Sequence, residues 1–121
     1  MLTSVASNRM MCPQLVKMDF QFHRELTRSS GNELLLAMLD SIGEVLREVR
    51  HQSMAEPHIG EGGLRAHRRI LRCVSAGQPE AARQAMADHL AEAERVWQRT
   101  RLGGGKAMSR KARRPNSKRR S

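Results

Sequence analysis

Four residues in this sequence have the types and spacing of a metal site. Asp19 and His23 stand four apart, so on a helix both leave one face a single turn apart and form a two-point chelate. His67 and His89 each lie 11 residues from Gln78. If a turn is centred there, antiparallel helices rising about 1.5 Å per residue return to equal height after equal excursions, and the two histidines face each other. Three imidazoles and one carboxylate suit a borderline divalent ion such as zinc, nickel or manganese.

The elements that must position these residues read as helices. Leu15, Met18, Phe22 and Leu26 recur at threes and fours, which places Asp19 and His23 on the buried side of a first helix. Ser29-Ser30-Gly31-Asn32 closes it. Ser30 with Glu33 matches a capping box for the next helix, and Asn32 is a rival N-cap. Leu35, Met38, Leu39, Ile42, Val45, Leu46 and Val49 form one apolar face of a second helix, with Glu44, Arg47, Glu48 and Arg50 mostly off it. Pro57 and Gly60, Gly62 and Gly63 break the pattern. A third helix from about Leu64 to Ala76 carries Leu64, Ile70, Leu71 and Val74 on one side, with His67 among them. Gly77 suits its C-terminal cap, and Pro79 the first turn of the fourth helix. That helix places His89 among Ala82, Ala85, Met86, Leu90, Ala93, Val96 and Trp97. The expected fold class is all-α, an antiparallel bundle of about four helices.

Burying an unpaired carboxylate or imidazole is costly. Asp19, His23, His67 and His89 point inward from three helices, so they need a common partner, and one metal ion satisfies them all. Taken singly each has an ordinary reading: a helical Asp–His pair is usually a surface ion pair, and a lone inward histidine is usually a satisfied core residue. His51 and His58 sit beside the loop and read as exposed. Cys73 reads as a small core residue, and Cys12 has no partner at ligand spacing. No catalytic triad, phosphate-cradling glycine loop or pair of catalytic carboxylates emerges.

Composition narrows the function classes. The net charge of +10 is concentrated in residues 103–121, which hold eight basic residues and no acid, leaving 14 basic and 12 acidic residues elsewhere. The body is therefore nearly neutral, and the charge belongs to a tail. With Phe20, Phe22 and Trp97 as the sole aromatics, a base-stacking platform for single strands is excluded. The longest apolar run, Leu34 to Leu39, is six residues, against about 20 for a membrane span. No secretory signal is visible, and two cysteines make no disulfide framework, so a reduced cytoplasmic protein is expected.

Two stretches, DFQFHRELTRSSGNELL and RAHRRILRCVSAGQPEAARQAMADHL, together resemble the FCD domain, the C-terminal effector-binding domain of GntR-family transcriptional regulators of the FadR type. The pattern is an Asp and a His four apart, a following S-G-N, an H-x-x-I helix and an A-x-x-x-M-x-x-H-L helix. It departs at Ala66 and at Gln78-Pro79, where the family has acids, and both changes leave the ligands intact. The resemblance implies a metal held by Asp19, His23, His67 and His89, a small organic acid effector completing its shell, and a homodimer. It divides the chain into an irregular N-terminus (1–13), a partial FCD-type effector-binding helical domain (14–102) and a disordered basic tail (103–121). The winged helix-turn-helix and opening helices of such regulators do not fit before Leu15, so a truncated form with exposed apolar faces is expected. DNA would then be reached through a domain absent here, or weakly through the tail. The leading expectation is a sensor without catalysis. The alternatives are a metal-dependent hydrolytic enzyme and non-specific nucleic-acid binding by the tail.

Overall fold

A computed structural model describes the backbone of residues 3–54 and 59–111, and the side chains within 13–54 and 59–102. Among the described residues the chain forms five helices and no strand: α1 (Thr3–Ser29), α2 (Glu33–Ser41), α3 (Gly43–Ser53), α4 (Ile59–Ser75) and α5 (Pro79–Lys111). The all-α bundle is as expected.

Local chemistry explains the joints. Asn32, rather than Ser30, caps α2: its side chain accepts from the Leu35 N–H at 3.0 Å, while the Ser30 hydroxyl turns back to the Thr27 carbonyl. The turn after α4 closes through Gln78 N–H to Cys73 O and Gly77 N–H to Val74 O, both 3.0 Å. Gly77 adopts φ +66° there, a left-handed conformation that a Cβ would strain. Pro79 follows as the first residue of α5, where its missing N–H has no partner to lose.

That turn folds α5 back along α4, with Arg69 on Asp88 at 2.8 Å. Against α1, contacts descend from Arg24 to Phe20 to Leu15 as their partners ascend from Asp40 to Gly43 to Gly60. So α2 and α3 run antiparallel to α1, and α3 also packs on α5.

The helix boundaries depart from expectation in ways that share a cause. Residues 3–13 continue α1 rather than forming an irregular terminus, and Pro13 lies within the helix. Apolar periodicity reports burial, not helicity, so its absence there did not mark the chain as irregular. The expected second helix is two, parted at Ile42 (φ −100°, ψ 5°). Gly43 begins α3 flush against Phe20, where a Cβ would stand 2.9 Å from the ring's Cζ. Gly60, Gly62 and Gly63 lie inside α4 and Gly103–Gly105 inside α5. Each glycine costs a helix about 1 kcal/mol relative to alanine, yet a helix already nucleated extends with one bond per residue. Residues 112–121 of the basic tail, and all its side chains, lie outside the described residues.

The larger correction concerns which way the helices face. On α1 the buried residues are Val16 and Asp19, while Met18 is 63% exposed. On α3 the inward row is Gly43, Arg50 and Ser53, and Val45 is 66% exposed. Leu35, Met38 and Ile42 are exposed as well, as are Leu64, Leu71, Val74 and Leu90. The fully buried apolar side chains among the described residues are Val16, Ile70, Ala85 and Val96. Polar groups thus occupy much of the interior. The α5 stripe Ala82, Ala85, Met86, Ala93, Val96 and Trp97 faces inward as read, and Leu39, Leu46 and Val49 are half-buried. Leu35, Met38, Ile42 and Val45, and on α4 Leu64, Leu71 and Val74, turn outward. His51 is half-buried rather than exposed, and His58 lies outside the described residues.

Two substitutions check this packing by urea denaturation. Ile70→Ala should cost about 2–5 kcal/mol, because its side chain is enclosed and leaves a cavity. Gly43→Val should cost about 1–3 kcal/mol by forcing Phe20 off α3.

Candidate metal centre

Asp19 and His23 project from successive turns of α1. His67 comes from the middle of α4 and His89 from the facing stretch of α5. All four are buried or half-buried, and one ligand atom from each lies within 4.8 Å of the others. His67 Nε2 is 3.2 Å from His89 Nε2, which is 3.3 Å from His23 Nε2. Asp19 Oδ1 is 3.3 Å from His67 Nε2 and 3.9 Å from His23 Nε2. The equal-height argument about Gln78 therefore holds in the fold. Phe22 stacks on His67 with centroids 4.2 Å apart and planes 11° from parallel, which holds that ring upright.

Sequence reasoning missed one member of the cluster. Arg50, from α3, reaches Asp19 with Nε at 3.1 Å from Oδ2 and Nη2 at 3.3 Å from Oδ1. By spacing it lies mostly off the apolar face of that helix, and an apolar face reads as the inward one. The available signal was Asp19 itself, since a buried carboxylate calls for a cation.

These contacts set the charge states. Burial pushes the Asp19 carboxyl up, but the His67 hydrogen bond and then the Arg50 charge outweigh it, leaving Asp19 below the usual carboxylate range. Burial pulls His23 down more than Asp19 raises it. His89 is pushed down to about 4, first by burial and then by the neighbouring imidazoles. His23 and His89 are thus neutral near pH 7, the form that ligates metal.

The hydrogen-bonding capacity of the cluster does not close without a further partner. A neutral imidazole nitrogen either donates or accepts. His89 Nε2 faces two other Nε2 atoms, and His67 Nε2 faces both His89 and Asp19. One proton on each ring cannot satisfy all of these approaches, whereas a cation among the lone pairs can. Ligand atoms at 2.0–2.1 Å from such an ion would lie about 3.0–3.4 Å apart, the range of three of the four separations above. The donor set fits a first-row divalent ion.

Acid should weaken the metal-free fold in a defined window. His23 and His89 take up protons near their ordinary 6.5 when unfolded but only at lower pH when folded. The unfolded state therefore binds more protons between about pH 6.5 and 4, and stability falls as pH falls through that range. Asp19, lowered from 3.8, adds a loss below that value. Melting temperatures of chelator-treated protein should drop from pH 7 to 4, and His89→Asn should flatten the slope.

Among the described residues no helix is long and apolar enough to cross a membrane. The FCD domain family matches residues 7–92. A protein of Micromonospora viridifaciens named "Putative transcriptional regulatory protein NedR" is 34% identical over 76 residues, covering 63% of this chain and 55% of that protein. The chain thus spans about half the length of this relative. No solved structure matches it. With a match across most of its helices, the chain belongs to the FCD family, the effector-binding domain type of GntR transcriptional regulators.

Proposed function

We propose that this bundle is the sensing module of a transcriptional regulator, binding a divalent transition metal and a small organic acid together. Asp19, His23, His67 and His89 hold the ion, and the acid completes its shell. The observation that carries the reading is the convergence of four ligand atoms whose mutual contacts their own protons cannot satisfy. A bound divalent ion would supply a positive anchor for a carboxylate oxygen.

The chain's own residues do the rest. Arg50 engages both Asp19 oxygens, which fixes the carboxylate's orientation and keeps it charged. Phe22 fixes the His67 ring. A cavity of about 200 Å³ opens beside His89 between α3, α4 and α5, large enough for a small acid. A ligand there touches three helices at once, so its binding energy bears on how they pack. The outward apolar residues of α2 and α3 support association of two copies, as does the small core.

Metal should stabilise the chain measurably. At one hundred times the dissociation constant the expected gain is about 2.7 kcal/mol, read as a rise in melting temperature with zinc, nickel or manganese. His67→Ala and His89→Ala should each remove the rise. A shift that survives both substitutions would sink the assignment. Acetate or another small carboxylate should bind the metal-loaded chain and lose its affinity on adding chelator.

Sedimentation of the full chain should reveal a dimer, weakened by Met38→Glu with Val45→Glu. A monomer at all concentrations would refute self-association.

A further inference from the structure

The cavity beside the cluster has a charge pattern that says more about its ligand. Its wall includes Arg50, Arg65, His89 and Glu92. Arg50 is committed to Asp19. Glu92 is committed to Arg95 at 2.7 Å, with Arg99 at 4.0 Å. Arg65 has no ion pair or hydrogen bond among the described residues. The uncompensated charge on the wall is therefore single and positive, and Arg65 carries it.

The floor of the cavity is bare helix. A Cβ on Gly62 would lie 3.9 Å from an Arg65 Nη2, and one on Gly63 would lie 3.8 Å from an Arg50 Nη2. The two guanidinium groups consequently flank one stretch of α4 that has no side chains. The planar fork of Arg65 over an open backbone suits a carboxylate, which accepts paired N–H bonds in that geometry. An ammonium group or an alkyl chain would leave the Arg65 charge unanswered.

We infer that Arg65, beside Arg50, receives a second acidic group, so that the ligand is a short dicarboxylate and not a monocarboxylate. This rests on the sensing reading above, which assigns the first acidic group to the metal centre. The volume of about 200 Å³ accommodates a short diacid, at about 30 Å³ for each water-sized group.

The test is calorimetric titration of the zinc-loaded full chain with acids paired by length, succinate against butyrate and glutarate against valerate. The better-fitting diacid should bind at least about tenfold tighter than its monoacid partner, as one charge-assisted contact warrants. Arg65→Gln should bring that ratio to about twofold and leave the monoacid affinity unchanged, because Arg65 is exposed and outside the ligand set. Arg65→Lys should restore part of the preference. Equal affinities in the unmodified chain would overturn the second subsite alone, as would a preference that survives Arg65→Gln. Loss of binding by all four acids would overturn the sensing reading with it.

Discussion

A single buried carboxylate organises this bundle. Asp19 lies 8% exposed on α1, where an ionised group without partners would be several kcal/mol too costly to keep. Arg50 from α3 and His67 from α4 answer it at 3.1 and 3.3 Å. Satisfying Asp19 therefore binds three helices to one point. His67 in turn abuts His89 of α5, so a fourth helix joins through the same contact. Without Arg50 the carboxylate would take up a proton more readily. Without His67 it would lose its partner on α4, leaving His23 on His89 as the remaining cluster contact from α1 to the hairpin.

The rest of the packing follows from giving the centre to polar groups. Val16, Ile70, Ala85 and Val96 are the fully buried apolar side chains among the described residues, a small hydrophobic contribution for a chain of this size. Surface ion pairs such as Arg24 with Asp40 and Arg69 with Asp88 join neighbouring helices but add little where both partners are exposed. Pairing within the cluster offsets the cost of burying its charges, so it fixes how the helices face one another more than it adds net stability. A divalent ion held by the four residues would couple its own binding to protonation of the imidazoles and to helix packing. Such a coupling would serve the proposed sensing role, since the ligand state would bear on how the helices hold together.

Much of the site was legible before the fold was known. The four-residue spacing of Asp19 and His23, and the symmetry of His67 and His89 about Gln78, are consequences of helical pitch and one turn. Gly77 and Pro79 punctuate that turn by their backbone preferences alone. Arg50 was not legible, because its row on α3 reads as a charged outer face next to an apolar stripe. Of the stripe Leu35, Met38, Leu39, Ile42, Val45, Leu46 and Val49, which reads as a core face, Leu39, Leu46 and Val49 are half-buried and the other four side chains are exposed. Periodicity establishes that a helix has two unlike faces. It does not establish which face meets the neighbours when the neighbours present buried charges.

The sequence by itself determined the helical class, the turn geometry and the candidate ligand set, since these depend on residues close in the chain and on fixed rise per residue. The tertiary structure alone decided that Arg50 is the counter-ion of Asp19, that α3 turns Arg50 and Ser53 inward beside Gly43, and that Arg65 stands over a bare stretch of α4 beside His89. Those outcomes depend on the mutual rotation of helices. Rotation is set by satisfying a few buried charges at once, a condition spread over residues far apart in sequence.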